Sequence, residues 1–333
     1  MKKFNYQRVL KITVLIWIFV LTLSGCESIG QATKYDDEID IKVKNEVQTV
    51  IDVFFAGVND MNIDTIQTIS YVDDLVLSDK FISFIENLNK LGDQGDYKLL
   101  QEAYTISDTY TIDITLPEHY TIIYPTAQLN AFSVFYTIEK GDYEYIVTLN
   151  LVEDKDIWYL SRLDIGEYQF LGKNVDTWRQ EAETYFENGN IIAANSAAYL
   201  ALRLINPTES FKHADAVAIE ERYKEVNNAL GVAYDFPFEL TLEDDSVRIY
   251  DFTTYRGESE IATQVRYITD QSVIGGDSDV LDSIAKEIHA HLLSTIPDYQ
   301  LGISNKIVYT AYNVIPNNPD AIYDTYDTFI NLN

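Results

Sequence analysis

Cysteine is nearly missing from this chain of 333 residues, where Cys26 is the only one. No intramolecular disulfide can form, so the folded part must be held by its core alone, and no cysteine cluster exists to bind a metal. Histidine is almost as scarce: the four residues His119, His213, His289 and His291 fall in no H-E-x-x-H pattern. His289 and His291 stand two apart on an expected helix and point to nearly opposite faces. The glycines form no G-x-S-x-G elbow, no Walker loop and no G-x-G-x-x-G, and Gly275-Gly276 reads as a turn, so nucleotide and triad-hydrolase chemistry find no support. Basic residues are also few, 24 against 53 acidic ones. A chain this acidic repels phosphate backbones and anionic headgroups, which argues against nucleic acid as a partner and against charge-driven attachment to a membrane. The acidic runs Asp36-Asp37-Glu38, Glu243-Asp244-Asp245 and Asp277 to Asp279 lack the ligand spacing and central glycine of a calcium loop and read as solvated turns. No metal and no cofactor is expected.

Long apolar runs are lacking except at the start, where Ile12 to Leu23 follows a basic stretch carrying Lys2, Lys3, Arg8 and Lys11. As a helix those dozen residues would reach about 18 Å, short of the roughly 30 Å of a hydrocarbon core, so the run reads as the apolar part of an export signal and not as a membrane span. Leu23-Ser24-Gly25-Cys26 comes next: an aliphatic residue, two small ones, then the cysteine. This tetrapeptide resembles the lipobox of bacterial lipoproteins. The resemblance implies that Leu23, Ser24 and Gly25 are read by a signal peptidase, that cleavage falls before Cys26, and that the Cys26 thiol carries a diacylglycerol. The new amino group is then open to a second acylation, and two acyl chains make a durable anchor at roughly 0.8 kcal/mol per buried methylene. The expected place of the protein is therefore the extracytoplasmic face of a cell membrane. Loss of residues 1–25 takes four bases and no acid, leaving 20 bases against 53 acids.

The rest divides by pattern. Residues 26–40 are polar and aperiodic and read as a flexible tether of about 14 residues, spanning roughly 20 Å. From Ile41 to Val58 the apolar residues Val43, Val47, Val50, Ile51, Phe54, Phe55 and Val58 keep helical spacing. A short helix through Ile63, Ile66 and Ile69 follows a polar break, and Ser78 caps another that carries Phe81, Ile82, Ile85 and Leu88 and stops at Gly92. The period then falls to two. Ile106, Tyr110, Ile112, Ile114 and Leu116 alternate with polar residues as one strand, and further strands are expected at Phe132 to Ile138, Tyr143 to Val152 and Ile157 to Leu163, the last two joined by a turn at 153–156. Residues 172–232 read as a helical hairpin spacer, with Phe186, Tyr199 and Pro207 at spacings that resemble a single tetratricopeptide unit. Residues 236–333 read as a small β-β-α-β domain whose helix buries Leu281, Ile284, Ile288 and Leu292, ending in a polar tail with scattered aromatics, Asn317 to Asn333, that reads as docked on it.

The expected class is α+β. The order of elements over residues 41–168, a long helix, a short helix, then strands ending in a hairpin that carries Trp158, resembles the NTF2-like cone. That resemblance implies a space between helices and sheet that holds a small ligand, an active site, or only packed side chains. Three functions are weighed. The first is a lipid-anchored binding or interaction protein, not an enzyme, whose partner is a protein, a glycan or a small ligand. The second is an NTF2-like enzyme, which needs a carboxylate base in the cone such as Asp113 with Tyr71 or Tyr110, although the alternation puts Asp113 on the solvent face. The third is a transporter's solute-binding lipoprotein, and against it stands the lack of an alternating strand and helix rhythm.

Overall fold

A computed structural model describes residues 30–71, 79–92, 96–243, 245–296, 302–318 and 321–332. Leu23, Ser24, Gly25, Cys26 and Ser78 lie outside the described residues. The fold is mixed α+β, with three sheets and, among the described residues, seven helices. No described helix is long and apolar enough to cross a membrane.

The chain is ordered earlier than expected. In place of a tether reaching Asp40, Ala32–Tyr35 forms strand β1, paired antiparallel with β2 (Lys98–Ile106) from Ala32 opposite Ile106 to Tyr35 opposite Ala103. Its polar composition hid it, because an edge strand covers little and needs only a partner for its backbone. Asp36 then turns the chain in a 3-10 turn, its carboxylate accepting the Glu102 N–H at 2.9 Å, so one of the three acidic runs is a structural corner.

Helix α1 (Ile41–Asn59) starts where Asp40 accepts the Lys42 N–H at 2.8 Å and buries Val47, Ile51, Phe54, Phe55 and Val58. With α2 (Ile63–Thr68) and α3 (Asp79–Leu91) it covers one face of a five-stranded antiparallel sheet of order β1-β2-β5-β6-β7, in which β5 is Asn130–Lys140, β6 Tyr143–Asp154 and β7 Ile157–Phe170. The β6–β7 turn places Lys155 and Asp156 both at positive φ, as a two-residue hairpin requires.

The strand expected from Thr105 to Leu116 is two strands. Ser107 to Tyr110 form a turn in which Ser107 Oγ accepts the Thr109 N–H at 3.1 Å, and β3 (Thr111–Thr115) leaves for another sheet with β4 (Tyr120–Pro125) and β8 (Phe211–His213). Alternation runs through the break unchanged, so period alone could not reveal it.

Residues 131–135 of β5 and 146–152 of β6 are buried without alternation, because the large sheet is covered on both faces. Phe132, Val134, Val147, Leu149 and Leu151 meet the helices α1 to α3, whereas Ala131, Phe135, Tyr143 and Ile146 join a core with Tyr120, Tyr124, Trp178, Ala197 and Ala201. That second core contains α4 (Val175–Glu187) and α5 (Ile191–Leu204), and β8 ties the segment to β4. The helical hairpin is therefore part of the core and not a spacer. Small alanines allow this close approach, and the chain continues through α6 (Ala216–Tyr234).

The last portion is larger than β-β-α-β. Strands β9 (Phe238–Thr241), β10 (Ser246–Arg256) and β11 (Ile261–Ile268) pair antiparallel, α7 (Ser278–Thr295) crosses over, β12 (Lys306–Tyr312) pairs parallel to β11, and β13 (Thr325–Asn331) closes the order β13-β12-β11-β10-β9. The expected polar tail thus ends in an edge strand, its Thr-Tyr-Asp-Thr-Phe run covering one face only.

Candidate functional site

Two hairpin tips lock the last portion onto the rest. Gly141, at φ +61, lets the β5–β6 turn approach the β10–β11 turn so closely that a Cβ there would lie 2.3 Å from the Ser259 carbonyl oxygen. The Asp142 N–H donates to that oxygen at 3.0 Å, the Asp142 carboxylate accepts the Ile261 N–H at 2.8 Å, and Tyr143 Oη donates to the Gly257 carbonyl at 2.8 Å.

Beside this junction lies a cleft of about 610 Å³. Phe84, Asn87, Lys90 and Leu91 of α3 form one wall, Tyr145, Ile165, Gly166 and Glu167 of the sheet the floor, and Arg203, Asn206, Pro207, Lys140 and Glu258 the remaining rim. Glu167 is neutralised twice, by the Arg256 guanidinium and by Arg203 at 3.4 Å. Arg256 also lies over the Phe170 ring at 5.4 Å, and its charged form is favoured by Glu167 against the cost of burial. Lys140 Nζ donates to the Lys90 carbonyl at the end of α3 at 2.6 Å. The cleft therefore gathers Lys90, Lys140 and Arg203 in a chain poor in cations, beside Tyr145 and Ile165 and with the two acids Glu167 and Glu258 in its lining.

A second cluster joins residues far apart in sequence: His119 from the β3–β4 turn, Asp176 from the first turn of α4, and His213 from β8. His119 Nδ1 is 3.3 Å from Asp176 Oδ2, and His213 Nε2 is 4.0 Å from the same oxygen. Their donor set invites a test as a metal centre. A ligating imidazole gives the metal one nitrogen and donates from the other. At His213 the other nitrogen, Nδ1, instead accepts the Asp215 N–H at 3.1 Å, which puts the ring proton on Nε2, where a metal would need a lone pair. Arg179 already holds Asp176 Oδ1 at 3.1 Å and Asp215 at 3.0 Å, a cation where a second would be repelled. The residues present do not fit a metal.

Comparison with family models, curated proteins and solved structures finds no match.

What the His119 cluster does supply is a pH dependence. Burial pushes His213 below its ordinary 6.5, against the pull of Asp176 and Asp215, and burial lowers His289 as well. The unfolded chain takes up these protons first as pH falls through about 6.5, so this part of the stability is complete above that value and is lost below it. Urea midpoints measured from about pH 8 down to about pH 5.5 are expected to fall, above the range where carboxylates titrate. His213→Asn keeps an acceptor for the Asp215 N–H but cannot titrate, and is expected to flatten the slope. An unchanged slope would show that His213 does not carry it.

The residues nominated from sequence for a base in the cone do not converge. Asp113 is exposed on β3 in the small sheet, Tyr110 is 62% exposed in the turn before it, and Tyr71 Oη accepts the Gln128 amide at 2.6 Å. The space between α1 to α3 and the sheet is filled by Phe54, Phe55, Phe81, Phe132 and Trp158. His289 Nδ1 meets Tyr309 Oη at 2.8 Å, His291 is exposed, and Asp277 caps α7 by accepting the Asp279 N–H at 3.0 Å. Neither the cleft nor the His119 cluster had a signal in the sequence, because each is assembled from strands, turns and helices brought together only by folding.

Proposed function

We propose that this chain is a lipid-anchored extracytoplasmic binding protein that takes a small anionic ligand, such as an acidic sugar, in the cleft beside the hairpin junction. The observation that carries the reading is the gathering of Lys90, Lys140 and Arg203 where three parts of the chain meet, over a floor whose one acid, Glu167, is already paired with Arg256 and Arg203. Concave sites at such junctions, mostly apolar with a few placed polar groups, are where small molecules bind. Arg203 presents a planar fork suited to a carboxylate or phosphate, and the two lysines add point charges. The first portion is read as an NTF2-like cone whose interior is given over to packing, which moves the ligand outside it. The expected test is a thermal-shift panel of carboxylated and phosphorylated sugars on the chain lacking residues 1–25, with Arg203→Glu and Lys140→Glu beside it. A ligand that raises the midpoint of the wild type and of neither variant supports the reading. Equal shifts in all three would remove the cleft.

The anchor is carried by Leu23-Ser24-Gly25-Cys26. Intact mass of protein extracted from a bacterial membrane is expected to lack residues 1–25 and to include acyl chains, and Cys26→Ala is expected to lose them. An uncleaved, unacylated chain would overturn this part.

A further inference from the structure

Resting on the lipid anchor at Cys26, we infer that one end of the large sheet sits against the bilayer, with Ile106, Tyr110, Leu129 and Ile157 at headgroup level. The place where the chain enters fixes which end. Ala32 pairs with Ile106, and Gln31 just before it is clamped on β3, its Oε1 accepting the Asp113 N–H at 2.8 Å and its Nε2 donating to the Asp113 carbonyl. From Gln31 back to Cys26 is five Cα steps, at most about 18 Å of extended chain. The acylated cysteine therefore cannot lie far from this end of the sheet.

Register places the four apolar residues there. Ile106 lies opposite Asn130 as well as Ala32, the Ser107 N–H donates to the Leu129 carbonyl at 2.9 Å, and Ile157 lies opposite Asp154 at the β6–β7 turn. Tyr110 belongs to the turn that follows Ile106, and its carbonyl accepts the Thr126 N–H at 3.1 Å. All four are exposed, from 41% for Leu129 to 62% for Tyr110. Tyrosine and aliphatic side chains suit the boundary between headgroups and acyl chains. Charge gives no help, since Asp108, Asp154 and Asp156 stand among them with Lys155. The contact is therefore apolar and weak on its own, and the tether makes it effective by holding the surface at high local concentration. It is expected to be firmer on zwitterionic than on anionic lipid.

The test uses the acylated full-length protein in zwitterionic vesicles containing a headgroup nitroxide lipid. Acylation blocks Cys26, so one fluorophore can be placed at Tyr110→Cys, at Ile157→Cys, or at Ile274→Cys, an exposed apolar site at the far sheet. Fluorescence is expected to be at least halved at the first two positions relative to the third. Equal quenching at all three sites, or none at any, in protein whose mass confirms acylation overturns the seating and leaves the anchor intact. Unacylated protein overturns both. Amide exchange on the unlabelled wild type gives a second reading free of any folding defect: slower exchange at 107–110 and 155–157 than in the chain lacking residues 1–26 supports the seating, and identical exchange refutes it.

Discussion

Trp178→Ala is expected to destabilise the protein by roughly 3–5 kcal/mol, a large share of the ~5–15 kcal/mol that holds a typical domain. The side chain is fully buried, its Nε1 donates to the Phe170 carbonyl at 3.2 Å, and Lys173 Nζ stands 4.4 Å above its ring. Truncation leaves a cavity between α4 and the sheet and removes one of two donors to the Phe170 carbonyl, which keeps the Lys173 N–H at 2.9 Å. The substitution also tests the architecture. With residues 1–25 gone, the only tryptophans are Trp158 and Trp178, so the variant reports through Trp158 alone, on the opposite face of the sheet. If α4 and α5 are part of one core, the urea midpoint read from Trp158 falls together with the helical circular dichroism. A Trp158 midpoint left at its wild-type value would mean that the helical pair melts by itself, as a spacer would.

The elements legible in the sequence are those whose signal is local. The stripe on α1 is such a case, and so is that on α7, where Leu281, Ile284, Ile288 and Leu292 are all buried. The β6–β7 hairpin was legible because its turn residues and both flanking patterns lie within one short window. What escaped depends on distant partners. Strand β1 is ordered by β2 some seventy residues later. A bulge between Leu99 and Gln101 disturbs the alternation of β2, and β13 is polar because it is an edge. The alternation that ran Ile106 into Ile112 concealed a change of sheet, since period reports which face is buried and not which core buries it. Residue spacing reports still less about the cleft, whose cations come from α3, the end of β5 and the end of α5.

The clearest energetic contrast is expected from one substitution made at two glycines. At Gly166 on β7 an added Cβ would fall 1.9 Å from the Pro207 carbonyl oxygen and 2.4 Å from its carbon. Both atoms are backbone and cannot rotate away, so the strand and the segment after α5 must part. Gly166→Ala is expected to cost about 2–4 kcal/mol, in the upper range for overpacking. At Gly231, within α6, no atom of the described residues lies within 4 Å of the added atom, and alanine favours a helix over glycine by up to about 1 kcal/mol. Gly231→Ala is therefore expected to raise the urea midpoint that Gly166→Ala lowers. The same pair separates stability from binding, because Gly166 and Pro207 line the cleft and Gly231 does not. Displacing Pro207 moves the end of α5, and with it Arg203, away from Glu167. A cleft ligand found by thermal shift should then bind Gly231→Ala as it binds the wild type and bind Gly166→Ala weakly, even under conditions where that variant is fully folded. Unchanged binding by folded Gly166→Ala would mean that the ligand does not depend on Arg203 and its neighbours, and the site would have to be sought elsewhere on the molecule.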